Sequence, residues 1–237
     1  LIKFIDAKQS LSVQVHPDDK YALLHEGESG KTEMWYVMDA TPDATLIYGF
    51  THEISHQEFE RRIKDNTLLE VCNQVPIKKG DVFFIEAGTL HAIGAGALIA
   101  EIQQSSNSTY RVYDYGRVGK DGKLRELHIE KALAVTKLEP PTRKPEPIAK
   151  LTAFADYDLT ILAQCELFNV SHFDLHGNCS LNAKKDSFHS ILVLDGQIAL
   201  TYGNDSFTIT KGESVFIPAD MGEYILNGTG EFILTTL

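Results

Sequence analysis

The chain has 237 residues, 43% of them apolar, and a formal net charge of −11, which is enough for one large domain or two small ones. No run approaches the ~18–20 apolar residues of a membrane-spanning helix, and the acidic balance argues against nucleic-acid binding through a basic face. An anionic ligand would need a local basic pocket. The three cysteines, Cys72, Cys165 and Cys179, show no Cys-x-x-Cys spacing and read as reduced thiols of a cytoplasmic protein.

The chain opens at Leu1 inside a strand-like pattern, so a preceding N-terminal segment is expected. Residues 1–24 read as strand, turn and strand, and Tyr21 to Glu28 as a short helix or loop ending near Gly30. EMWYVMD and TLIYGF are rich in β-formers and flank the turn TPDA, which predicts a hairpin. Ser55 to Ile63 reads as a helix whose N-cap Ser55 is followed three residues on by Glu58, a capping box. That helix is expected to run on or restart through LLEVCNQ. VPIKKGDVFFIEAGTLHAI and ALIAEIQQSS follow as strands. Leu127, Ile129, Leu133 and Val135 are spaced for a helix over RELHIEKALAVTKLE. Four of the eight prolines, Pro140, Pro141, Pro145 and Pro147, then mark residues 139–150 as an extended linker between a segment 1–138 and a segment 151–237. The latter alternates strongly, and its DGQ tripeptide reads as a hairpin turn.

Gly80 to His91, GDVFFIEAGTLH, has a glycine-acid turn, a strand, and a tight turn that delivers a histidine to the next strand. This is the second half of a double-stranded β-helix motif. Lys211 to Ala219, KGESVFIPA, repeats the order imperfectly. The expected fold is therefore mainly β, two barrels of double-stranded β-helix (jelly-roll) type with a few helices. The second copy carries Met221, Gly222 and Glu223 where a ligand histidine would stand, so the 151–237 barrel is read as metal-free.

Gln14 and His16, two apart on a strand, point to one face. With Glu33 and His91 they make a mixed N/O donor set suited to a divalent ion such as zinc. A lone strand histidine is ordinarily a hydrogen-bonded core residue, and only the joint pattern favours a metal site. A second constellation follows in LIAEIQQSSNSTYRVYDYGR. Glu101 and Gln103 share a face, and Glu101 could act as a base or support a ligand. Arg111 could bind an anion or a developing oxyanion, although an ordinary surface role pairing Arg111 and Arg117 with Asp114 is the default. Lys31 sits two residues before Glu33.

QVHPDD, GKTEMWY, AGTLHAI and EIQQSSNSTYRVYDYGR, in that order, resemble the type I mannose-6-phosphate isomerases of the short bacterial form, in the cupin superfamily. The resemblance runs from about Leu11 to Leu138 and more weakly beyond. It implies a zinc enzyme, with one ion per chain, interconverting D-mannose 6-phosphate and D-fructose 6-phosphate. The implied zinc ligands are Gln14, His16, Glu33 and His91. Arg111 is the implied catalytic arginine, Lys31 the active-site lysine, Ser12 the pocket serine, and Glu101 the glutamate ahead of the arginine. Ser12, Lys31 and Arg111 are expected to contact the sugar phosphate. Gly30 departs from many larger members, which have histidine there, so no proton-transfer role is expected at that position. A monomer or homodimer is compatible with the reading. Two alternatives stay open: another metal-dependent cupin enzyme, and a cupin that binds metal and sugar without turnover.

Overall fold

The computed structural model describes residues 1–119 and 121–237. It is mainly β, with a few short helices, and divides into two compact units, Leu1–Pro145 and Glu146–Leu237.

In the first unit, β1 (Ile2–Ala7) and β2 (Val13–Val15) precede α1 (Asp19–His25). This helix starts where the Asp18 carboxylate accepts a hydrogen bond from the Tyr21 amide at 2.8 Å, satisfying a donor that the first turn leaves free. Then come β3 (Glu33–Ala40), β4 (Thr45–Phe50) and α2 (His56–Lys64). The Ser55 half of the expected capping box is present, with Ser55 Oγ accepting from the Glu58 amide at 3.1 Å, while the Glu58 carboxylate accepts from Arg62 Nε at 2.8 Å. β5 (Cys72–Pro76), β6 (Val82–Ile85), β7 (His91–Ile93), β8 (Ala97–Gln103), β9 (Tyr110–Tyr113) and α3 (Ile129–Val135) complete the unit.

The strands form two antiparallel sheets, ordered β1-β8-β3-β6 and β5-β4-β7-β2-β9. Trp35, Val37, Phe83, Ile85 and Ile99 of the first pack against Leu46, Tyr48 and Ile93 of the second. The outer face of the five-stranded sheet carries Val13, Val15, Ile47, Ala92 and Val112 and is covered by Phe59, Ile63 and Ala132 of the helices. Strand alternation thus turns Gln14, His91, Tyr48 and Arg111 inward, toward the space between the sheets.

Three expectations for this unit are corrected or narrowed. EMWYVMD and TLIYGF are not a hairpin: β3 pairs with β8 and β6, while β4 pairs with β5 and β7. Both are central strands, and each satisfies its two edges within its own sheet. Of the two alternatives for LLEVCNQ, running on or restarting, the structure shows a brief restart, a 3-10 turn at Leu68–Glu70 that gives way to a strand at Cys72, where pairing with β4 begins. The last helix is also shorter than its apolar spacing predicts. It stops at Thr136, whose backbone is extended, and the next amide, Lys137 N–H, donates to Gly88 O at 2.8 Å.

The second unit contains β10 (Thr152–Ala153), β11 (Tyr157–Gln164), β12 (Asn169–Leu175), β13 (Asn178–Ala183), β14 (His189–Tyr202), β15 (Asp205–Thr210), β16 (Ser214–Ile217) and β17 (Gly222–Thr236). They join in one antiparallel sheet around a core that includes Phe173, Val193, Ile198, Tyr224 and Phe232. DGQ is not a hairpin turn. It lies inside β14, where a bulge between Val193 and Asp195 is followed by Gly196 at φ +79°. A glycine accommodates this left-handed backbone without steric penalty. Met221 packs on the core of this unit and Glu223 is exposed.

Candidate metal centre and active site

The pairing register brings the inward residues into rows. Gln14 stands opposite His91 on one side and Arg111 on the other, and His91 stands opposite Tyr48. On the facing sheet Glu33 is flanked by Gln103 and Ile85, and Trp35 by Glu101 and Phe83. Directly opposed residues of an antiparallel pair share a face at short range. His16, just past the end of β2, is fixed from both sides: its carbonyl accepts from Gly88 N–H at 2.8 Å and its ring bonds to Ser108 O.

Among the described residues, His16, Glu33 and His91 converge with donor atoms all within 4.8 Å of one another, and all three are at most 1% exposed. His16 Nδ1 lies 2.9 Å from Ser108 O and His91 Nδ1 lies 2.8 Å from Thr89 O. A carbonyl can only accept, so each Nδ1 carries the hydrogen and each Nε2 presents a lone pair. Those two Nε2 atoms face each other at 3.1 Å. Glu33 Oε1 stands 3.3 Å from His16 Nε2 and has no hydrogen bond of good geometry, although Lys31 Nζ approaches it at 2.9 Å. Lone pairs converging in a buried space are repulsive without a cation among them. The donor set, two imidazoles and a carboxylate, fits a divalent ion such as zinc. The Gln14 amide is 3.4 Å from His91 Nε2 through its nitrogen, and half a turn of the amide places its oxygen there instead.

Burial favours the neutral form of the Glu33 carboxyl, but His16, His91 and Lys31 outweigh it and hold the group well below the usual carboxylate range. Burial and the neighbouring His16 push His91 down to about 3, so its ring is neutral at physiological pH. Both groups are in the protonation state that a metal needs.

Lys31 is buried and touches Glu33. Its position follows from Gly30, whose backbone packs against residues 17–19 so tightly that a Cβ would lie 2.4 Å from Asp18 C. A histidine, or any other side chain, has no room there, which accounts for the departure noted in the sequence. Glu101 is buried one layer beyond Glu33, with Lys3 Nζ at 2.8 Å from its Oε1 and Trp35 Nε1 at 3.1 Å from its Oε2. Ser12 is buried two residues ahead of Gln14. Arg111 lies across Gln14 from His91. Its Nη1 donates to Glu126 O at 2.9 Å, while its buried Nε has no hydrogen-bond partner among the described residues. The ordinary pairing with Asp114 holds for Arg117, as the default reading has it, and the second guanidinium on that carboxylate is that of Arg125, at 3.4 Å. Three guanidiniums thus gather near two carboxylates, Asp114 and Glu126, a local excess of positive charge in an acidic chain.

Trp35 is not among the site residues that the sequence singles out; there it counts only as a β-former. Its position two residues from Glu33 on the same strand face could have singled it out, because a buried indole N–H needs an acceptor.

A family model described as "Mannose-6-phosphate isomerase, cupin domain" matches residues 158–237. The chain is 40% identical over 238 residues to "Mannose-6-phosphate isomerase ManA" of Bacillus subtilis, covering 100% of this chain and 74% of that protein. The chain belongs to the mannose-6-phosphate isomerase family. A second relative, "Mannose-6-phosphate isomerase" of Streptococcus mutans, is 37% identical over 234 residues, covering 98% of this chain and 72% of that one. The crystal structure of the mannose 6-phosphate isomerase from Bacillus subtilis superposes with a TM-score of 0.92 at 35% identity, covering all of this chain and 74% of the other. The chain therefore spans about three quarters of the length of these mannose-6-phosphate isomerases. Among the described residues no helix is long and apolar enough to cross a membrane.

Proposed function

We propose that this chain carries the active site of a zinc-dependent aldose–ketose isomerase that interconverts D-mannose 6-phosphate and D-fructose 6-phosphate through an enediol. The observation that carries the reading is the pair of Nε2 atoms that face each other at 3.1 Å, with Glu33 Oε1 3.3 Å from that of His16. His16, Glu33 and His91 would hold the ion, and Gln14 would complete the set through its amide oxygen. Zinc, when bound there, would supply Lewis-acid stabilisation of oxygen charge beside the carbon that loses its proton.

The remaining roles fall to side chains. Arg111 stands opposite Gln14 with a buried, unused N–H, suited to hydrogen bonding an anionic oxygen of the substrate. The excess of guanidinium (Arg111, Arg117, Arg125) over carboxylate (Asp114, Glu126) would supply the local attraction for a phosphate that a net charge of −11 otherwise opposes. Ser12, buried two residues ahead of Gln14, would orient the sugar. Lys31 and Glu101 are the groups near Glu33 able to accept or hand on the carbon-bound proton. Against a binding protein without turnover stands this combination of an electrophilic centre with proton-accepting groups in one buried space.

The test is a coupled assay with mannose 6-phosphate before chelation, after chelation, and after zinc re-addition. Activity should vanish with the chelator and return with zinc. Zinc-replete protein without turnover would leave a sugar-binding cupin as the better description.

A further inference from the structure

Trp35 lies on the inward face of β3, two residues beyond Glu33, and is 1% exposed. Its indole N–H is 3.0 Å from Glu33 Oε2 and 3.1 Å from Glu101 Oε2, so one hydrogen is shared by two carboxylates. Burying two carboxylates side by side is unfavourable unless donors and cations compensate. Each has its own lysine here: Lys31 Nζ is 2.9 Å from Glu33 Oε1 and Lys3 Nζ is 2.8 Å from Glu101 Oε1. The indole is the group that joins them. A hydrogen-bonded chain Lys3–Glu101–Trp35–Glu33 thus runs from a part-exposed lysine to the candidate ligand.

The consequence for Glu33 is geometric. With Oε2 engaged by the indole, Oε1 is the oxygen that faces His16 Nε2, at 3.3 Å. The same ring packs edge-on against His91, with centroids 5.3 Å apart at 79°. One side chain therefore constrains a carboxylate through its N–H and an imidazole through its ring edge. Such outer partners fix the orientation of ligands they do not replace.

We propose that Trp35 is a positioning residue for the metal centre, fixing Glu33 as a one-oxygen ligand and setting the tilt of His91. The inference rests on the reading of His16, Glu33 and His91 as a metal site.

The chain has one tryptophan, so biosynthetic replacement of tryptophan by benzothienylalanine alters Trp35 alone. The analogue keeps the fused bicyclic shape and lacks the N–H. Zinc affinity of the full chain is measured by competition with a chromophoric chelator, and coordination geometry by the visible spectrum of the cobalt-loaded protein. The analogue is expected to bind zinc about 10–100-fold more weakly and to shift the cobalt bands. Trp35→Phe, which also removes the N–H, should weaken zinc at least as much. Unchanged affinity in the analogue protein would overturn the inference. So would weaker binding with an unchanged cobalt spectrum, which would mark a general loss of packing. Failure of the unaltered chain to bind zinc would overturn the metal-site reading and this inference with it, whereas tight binding by both proteins would overturn this inference alone.

Discussion

Gly30 and Asp18 touch backbone to backbone, the approach being so close that a Cβ on Gly30 would sit 2.4 Å from both Asp18 C and Asp19 N. The contact is reinforced by Gly30 N–H donating to Asp19 Oδ1 at 2.8 Å and by Lys31 N–H donating to Pro17 O at 3.0 Å. It ties the segment that delivers Lys31 and Glu33 to the segment that delivers His16. Gly30→Ala must push these apart. It is expected to destabilise the fold by about 1–3 kcal/mol, as overpacking does, and to weaken zinc binding as well. Thermal unfolding and chelator competition measure the two effects, and wild-type behaviour in both would sink the argument.

Acid should destabilise the metal-free protein earlier than carboxylate protonation alone requires. His91 is neutral in both folded and unfolded chains above about pH 6.5 and contributes nothing there. Its folded value is held down near 3, so as pH falls below the unfolded value the unfolded chain takes a proton that the folded chain refuses. Stability then drops by up to about 1.4 kcal/mol per pH unit from this group. Glu33, whose folded value is depressed, adds a loss in the same direction below its ordinary 4.5. Unfolding temperatures of chelated protein between about pH 7 and pH 5 test this, and a flat profile would contradict it.

Arg111 is expected to act on the reaction rather than on the ion. It lies across Gln14 from His91, and its own hydrogen bond goes to Glu126 O. Arg111→Ala should lower kcat by roughly a hundredfold to a thousandfold, the range for losing one donor to developing oxygen charge, with zinc content unchanged. Zinc content and activity falling together would contradict that division of roles.

Gly196→Ala offers a contrasting lesion in the other unit. Gly196 has φ +79°, and a Cβ there would meet Thr229 O at 2.4 Å. The substitution should destabilise the Glu146–Leu237 unit by about 1–3 kcal/mol while leaving the zinc affinity of folded protein as it was. Denaturant unfolding with a parallel zinc titration would show it, and a loss of zinc affinity would be the unexpected result.

The parts of this molecule that were legible in sequence are those where chemistry and local geometry coincide. Ser55 and Glu58 mark the start of α2 because a hydroxyl there reaches an amide that has no other partner. His16, Glu33 and His91 were legible because donors of those types in strand-like segments have few other reasons to recur together. Partnership between strands was not legible. EMWYVMD and TLIYGF carry a strong local hairpin signal, yet each has its neighbours elsewhere in the chain, and nothing in either segment specifies which. DGQ failed for a related reason, since a glycine with positive φ serves a bulge as well as a turn. For Trp35 only half of the setting is local, since Glu33 is two residues away and Glu101 is 66 residues away.

The candidate ligands do not all come from one sheet. Glu33 begins β3 in the four-stranded sheet, whereas His91 begins β7 and His16 follows β2 in the five-stranded one. An ion held by all three would be a clasp across the gap, present in the folded chain and absent from the unfolded one. At a free ion level a thousand times its dissociation constant, such a clasp adds about 4 kcal/mol to stability. A cell short of the ion would then do more than idle this protein. It would shorten the protein's life, because loosened sheets open to proteases, and scarcity would be registered in abundance as well as in turnover.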